Sequence, residues 1–255
     1  MSGAIMSVMI WVPILVLAVV LHELGHFVVC KKIGVRVTEF KLGWGKKLCG
    51  VKIGDTDFTL CPLPIGGACI IDDDALAACS PWEQFLVFVA GPMVNVVLAV
   101  GFAFGMLQIA NPDISSVLMI DCIRQFVTNL GDAMLLVIDR AFYLLSNLGT
   151  AFGLMVSANE SGIQANNDLI VQTIQMHGVI YSVCMSGCAL NVVLFVINLL
   201  PIPPLDGGQA VFALLELLHI HVPQRGVQAC SIVIYTAMIT LMMYAAVKDV
   251  LLLFV

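Results

Sequence analysis

Four long apolar stretches, at about Ile5–Val29, Glu83–Ile109, Ile170–Leu200 and Val227 to the C-terminus, constrain this chain more than any other feature of it. Each is long enough for an α-helix to cross a hydrocarbon layer roughly 30 Å thick, which takes about 20 residues. Hydrophobic residues make up 60% of the chain and charged ones only 11%, where a soluble domain carries about a quarter charged. A larger core cannot absorb that excess, because a packed core still needs a polar shell. Lipid as the solvent can. The predicted architecture is an α-helical polytopic membrane protein with about four transmembrane helices. A membrane-associated β-hairpin follows the first, and interfacial helices lie between the second and third.

The net charge of −6 says less than its distribution. Seven of the eleven basic residues (Lys31, Lys32, Arg36, Lys41, Lys46, Lys47 and Lys52) lie just after the first apolar stretch. Such clustering marks a cytoplasm-facing loop. No basic-aromatic platform accompanies it, so no nucleic-acid partner is expected. The nine cysteines contain no C-x-x-C pair. Cys184 and Cys188 are one helical turn apart and could share a metal, but they read better as small apolar packing residues. The N-terminal stretch has no basic start and no small-residue cleavage site, and is expected to be a retained helix.

Residues 1–255 are expected to form a single membrane-embedded domain. Within it, 31–80 is a cytoplasmic-side β-hairpin region. There Val51-Lys52-Ile53 and Phe58-Thr59-Leu60 flank a turn at Gly54-Asp55-Thr56-Asp57. Pro62, Pro64, Gly66 and Gly67 are expected to end the strands. Residues 111–168 form a connection whose Asp121, Arg124, Asp132, Asp139 and Arg140 would be costly in lipid; interfacial helices accommodate them better than a further span. Asp72, Asp73 and Asp74 read as a solvated loop. If the basic loop is cytoplasmic, the third span returns the chain at Asp206 to the side that holds the end of the first.

That parity matters because the first stretch contains His22-Glu23-Leu24-Gly25-His26, an H-E-x-x-H motif. Residues four apart on a helix share a face, so both imidazoles can reach one zinc ion with Glu23 beside them as general base. Charged side chains within a span cost about 2.5–3.5 kcal/mol each on insertion scales, so their presence needs a function. A catalytic zinc usually has three protein ligands and one open position. Asp206, between Pro204 and Gly207-Gly208, is the leading third ligand; an ordinary helix N-cap is the competing reading. His219 and His221 near a polar turn, and His177 on the opposite side, are weaker candidates.

Together, His22-Glu23-Leu24-Gly25-His26, Gly91-Pro92-Met93-Val94-Asn95 and the segment from Asn198 through Pro201 and Asp206 to Gly208 resemble the site-2 protease family of intramembrane zinc metalloproteases. The chain looks most like the bacterial RseP (regulator of sigma-E protease) type, and Pro64-Ile65-Gly66-Gly67 resembles the end of that type's membrane-re-entrant β-hairpin. The resemblance implies Zn2+ held by His22, His26 and Asp206, with Glu23 as the catalytic base. It implies that Asn198, with the hairpin at Gly66 and Gly67, binds unwound substrate. Pro201 and Gly207 would support the Asp206 turn, and Asn95 would help order the core, unless it is simply a helix-packing amide. It further implies single-span membrane-protein substrates, regulated intramembrane proteolysis, and a bacterial inner membrane with the active site toward the cytoplasm. One departure stands out. The PDZ domains that RseP-type enzymes carry between the second and third spans cannot fit in 111–168.

Two other classes use similar residues. A metal-ion transporter would place His and Asp in membrane helices, but it needs a continuous polar path that the second and fourth stretches lack. A non-catalytic binder of membrane proteins would not need an intact zinc-and-base set. Catalysed hydrolysis, with an edge strand from Val51 to Cys61 pairing to the unwound substrate, is the expected activity.

Overall fold

The computed structural model describes residues 3–110, 131–132, 135–143, 170–220 and 229–237, together with 128, 146, 147 and 240. The expected fourth span from Val227, most of the 111–168 connection and His221 lie largely outside the described residues. The three segments Met9–Ile33, Pro81–Ala110 and Val179–Leu199 are each helical, and long and apolar enough to cross a membrane.

The first apolar stretch forms α1 (Gly3–Ile33). Four strands follow: β1 (Val37–Trp44), β2 (Cys49–Ile53), β3 (Thr56–Leu60) and β4 (Leu63–Ile71). They build one sheet in the order β2-β3-β1-β4. The predicted hairpin is present: β2 and β3 run antiparallel with Ile53 opposite Thr56, so the turn is the two residues Gly54-Asp55. Two expectations need correction. Pro64, Gly66 and Gly67 do not end the strands but lie within β4, which pairs antiparallel with β1. Proline is tolerated there because β4 is an edge strand, with no neighbouring strand on its second side among the described residues. The second correction concerns the edge itself. Within the segment Val51–Cys61, Val51–Ile53 of β2 does lie on one outer edge of the sheet, but β3 is internal and pairs with both β2 and β1, and the open edge beside α1 belongs to β4.

The acidic run is also more ordered than a solvated loop. Asp72 caps the short helix α2 (Asp73–Ala77) by accepting the Ala75 N–H at 3.2 Å, and Asp73 and Asp74 occupy the first turn, where the helix dipole favours negative charge. Next, α3 (Pro81–Ala110) carries the second apolar stretch. The third is broken: helical residues 170–177 stop at Gly178, whose φ is +87°, and α4 runs only from Val179 to Leu199. Then α5 (Asp206–Leu217) begins after a six-residue loop.

Three apolar clusters hold these parts together. Val87 of α3 packs with Cys30, Val35 and Val37, tying the end of α1 and the sheet to α3. Ala99, Ala103, Cys188, Val192 and Val196 join α3 to α4, and Val137 and Ala141 of the helical segment 135–143 complete that cluster. Cys188 is therefore a packing residue. Ile10 and Ile14 of α1 pack on Ile170. Large apolar side chains point outward from the spans, among them Met9, Val12 and Leu17 on α1 and Met93 and Val97 on α3. That arrangement suits a lipid solvent, in which outward apolar faces carry no penalty.

Candidate metal centre

His22 and His26 stand one turn apart on α1, as the helical period requires, and both are buried. Their Nε2 atoms lie 3.3 Å apart. From α5, Asp206 brings Oδ2 to 3.1 Å from Nε2 of His22 and 3.5 Å from Nε2 of His26. These are the His/Cys/Asp/Glu side chains that, among the described residues, converge closely enough to share one metal ion. The N-cap of α5 is Leu205, and Asp206 sits in the first turn with its carboxylate committed to the imidazoles. Asp206 is therefore not the N-cap residue of α5.

The chemistry of this donor set fits a cation. His26 Nδ1 donates to the Val87 carbonyl at 2.7 Å, which leaves a lone pair on Nε2 of the neutral ring. That lone pair faces Oδ2 of Asp206, another acceptor, which is buried without a hydrogen-bond partner. Acceptors crowded together in a buried site repel unless something positive lies between them. A zinc ion would satisfy both and, with the Nε2 lone pair of His22 turned to it as well, would have three of its ordinary ligands, imidazole nitrogen and carboxylate oxygen.

Packing leaves the space for it. Gly91 of α3 lies directly against both rings: a Cβ there would come within 2.6 Å of Nε2 and 2.7 Å of Cε1 of His22, and closer still to Nε2 of His26. A second close approach lets Asp206 turn inward, since a Cβ on Gly207 would collide with the Leu199 carbonyl oxygen. This is the tight backbone approach expected of the Gly207-Gly208 pair.

Glu23, the residue after His22, reaches in a different direction. Its Oε2 accepts the backbone N–H of Cys69 at 2.8 Å. Cys69 faces Phe40 in the β1–β4 register, so this amide points away from β1, off the open edge of β4. Burial pushes the Cys69 thiol up to about 12, and the residue acts here through its amide alone. A cleft of about 1010 Å³ opens beside this group, and its lining includes Glu23, His26, Gly67, Asp206 and, from the helical segment 229–237, Tyr235.

Of the residues singled out in the sequence, His22, Glu23, His26, Gly67 and Asp206 are brought together. Asn95 is also at the site, fully buried, with Nδ2 3.0 Å from Nδ1 of His22. Asn198 lies half-buried in the last turn of α4, Pro201 is exposed in the following loop and Gly66 is on β4 beside Trp44; these three are not in the cleft lining. His177 lies against Tyr181, and His219 follows the end of α5; neither joins the metal group. Sequence reasoning assigned no role to Gly91, and it overlooked the Val87 carbonyl and the Cys69 amide. The last two are backbone groups, to which no residue type is a guide.

Apolar helices of spanning length, a buried His-His-Asp cluster and a glutamate beside it define an integral membrane protein of the zinc metalloprotease class. The chain belongs to Peptidase family M50, whose profile matches residues 10–243. A protein of Clostridium perfringens named as a zinc metalloprotease is 25% identical over 317 aligned positions, which take in 91% of this chain and 95% of that protein. The alignment is longer than the 255-residue chain, so that relative has residues without a counterpart here. Proteins with the same description from Neisseria meningitidis and Clostridium acetobutylicum are 32% and 37% identical over 112 and 89 residues, or 37% and 32% of this chain. The matched regions cover only 25% and 26% of those two proteins' own lengths.

Proposed function

We propose that this zinc metalloprotease hydrolyses peptide bonds in or near the transmembrane segments of single-span membrane proteins, with His22, His26 and Asp206 as the zinc ligands and Glu23 as the general base. The observation that carries the reading is the meeting of two imidazole nitrogens and a carboxylate oxygen within 3.1–3.5 Å of one another, next to a carboxylate that also touches the open edge of a sheet. Bound zinc supplies a water of lowered pKa and polarises the scissile carbonyl. Glu23 accepts the proton of the attacking water and returns it to the departing amine.

A transmembrane substrate hides its carbonyls in helical hydrogen bonds and must unwind to expose one. The exposed backbone then needs partners, because unpaired polar groups are costly near lipid. The free edge of β4 offers them by strand addition, and Gly67 keeps that edge close to α1: a Cβ on it would lie 3.0 Å from Cγ of Glu23 and 3.2 Å from Cγ1 of Val19. Asn198, in the turn of α4 that precedes the Asp206 loop, is proposed to satisfy a further backbone group. The seven basic residues in the last turn of α1 and just after it favour a cytoplasmic placement of the sheet and of the site, and a bacterial inner membrane is the proposed location. Purified enzyme incubated with tagged single-span peptides, with and without a zinc chelator, tests the reading by the masses of the products. Cleavage near the membrane-spanning part, abolished by chelation and restored by zinc, is expected; cleavage confined to soluble peptides, or unaffected by chelation, contradicts it.

The Cys69 amide gives a sharper prediction about Glu23. Cys69→Pro deletes one N–H on the unpaired side of an edge strand, and Cys69→Ala keeps it. A hydrogen bond to a charged group contributes roughly 1.5–3 kcal/mol, so Cys69→Pro is expected to slow turnover about ten- to a hundredfold, while Cys69→Ala stays near the parental rate. Equal rates in the two variants would show that the amide does not orient Glu23.

A further inference from the structure

Asn95 offers both a donor and an acceptor to His22, and only one of them suits a metal. The side chain is fully buried on α3, its Nδ2 lies 3.0 Å from Nδ1 of His22, and its Oδ1 is buried with no partner among the described residues. A neutral imidazole carries one proton. An amide that donates to Nδ1 leaves that proton on Nε2, the atom aimed at Asp206 and His26. Metal coordination through Nε2 demands the reverse: a lone pair on Nε2 and the proton on Nδ1. A half-turn of the Asn95 amide provides for it by setting Oδ1 opposite Nδ1. The equivalent atom of His26 has its proton held on Nδ1 by the Val87 carbonyl, which can only accept. Among the described residues no backbone carbonyl takes that place for His22, and Asn95 is the polar side chain beside its Nδ1.

We propose that Asn95 is a positioning residue for the metal centre: its amide turns to accept the Nδ1–H of His22 and thereby holds the Nε2 lone pair toward the zinc. The inference rests on the zinc ligands assigned above. Acceptors on the outer nitrogen of a metal-bound histidine fix its tautomer and raise its basicity, and their loss typically weakens metal binding about 10–100-fold. A side chain serving only to pack α3 against α1 would have no such effect.

Three forms of the full-length purified chain separate these roles: the parental protein, Asn95→Asp, which keeps an acceptor and loses the donor, and Asn95→Leu, which has neither. Zinc affinity is read by competition with a chromogenic chelator, independently of any cleavage. Asn95→Leu is expected to bind zinc about 10–100-fold more weakly, and Asn95→Asp as tightly as the parental chain or more so. Parental affinity in Asn95→Leu, or equal weakness in both variants, overturns the proposal. Because a variant in a buried helix can fail to fold, the parental protein labelled with nitrogen-15 at histidine gives a second measurement. On zinc loading, the His22 ring should carry its proton on Nδ1 and coordinate through Nε2; a loaded ring with an unprotonated Nδ1 overturns the inference. A parental protein that binds no zinc at all defeats the ligand assignment itself, a failure distinct from loss of the Asn95 effect alone.

Discussion

Glu23→Gln is expected to bind zinc as the parental chain does and to cleave a single-span reporter substrate about 10²–10⁴-fold more slowly, the range typical of a lost general base. The substitution is informative because it disturbs so little else. The carbonyl oxygen of glutamine can still accept the Cys69 N–H that Glu23 receives at 2.8 Å, so the contact between α1 and the edge of β4 survives. His22 and His26 are untouched. Only the capacity to take up and return a proton is removed. Single-turnover cleavage at saturating enzyme, alongside zinc content per chain, is the appropriate measurement. Parental turnover in the variant would mean that another group carries the proton, and the role given to Glu23 would be wrong.

Gly91→Ala is expected to abolish zinc binding and cleavage together. A Cβ at this position would stand 2.6 Å from Nε2 of His22 and in collision with Nε2 of His26. One ring must then swing away, or α3 must retreat from α1 and disturb Val87 and Asn95, which hold the outer nitrogens of the two imidazoles. Either route breaks the ligand set. Gly101→Ala is the matched control: it makes the same change on the same helix where a Cβ would meet nothing within 4 Å among the described residues. Zinc per chain is expected to fall from about one to near zero for Gly91→Ala and to be unchanged for Gly101→Ala. A Gly91→Ala protein with full zinc content would show that the imidazoles do not meet the metal against α3.

How much of this was legible in advance depended on whether the signal lay in side-chain spacing or in tertiary contact. His22, Glu23 and His26 could be read because their separation is a helical turn, and an apolar run made the helix certain. Asp206 was a candidate only through a parity argument about sides of the membrane, and its place in the first turn of α5, one residue past the N-cap, appears only in the folded chain. The β2–β3 hairpin announced itself through Gly54-Asp55. The sheet order did not, because β1 pairs with β3 in parallel across an intervening strand, and no local pattern encodes that. Consequently Val51–Cys61 was read as one edge strand, whereas only its β2 part is at an edge and the edge next to Glu23 is that of β4. Pro64, Gly66 and Gly67 were read as strand terminators on propensity, which an edge position overrides. The break at Gly178 in the third apolar stretch was marked in advance only by Gln172, Thr173, Gln175 and His177 just before it, which the reading as one continuous span passed over. Gly91 was visible as part of a motif, but a glycine's purpose lies in what approaches it.

X-ray absorption at the zinc K-edge of the loaded protein tests the central claim most directly, with Asp206→Ala as comparison. The account predicts one zinc per chain with two imidazole nitrogens at about 2.0–2.1 Å, oxygen in the remaining positions and no sulfur, and a loss of affinity or a changed oxygen shell in Asp206→Ala. Thiolate ligation at about 2.3 Å, or an identical metal environment with and without Asp206, would contradict it.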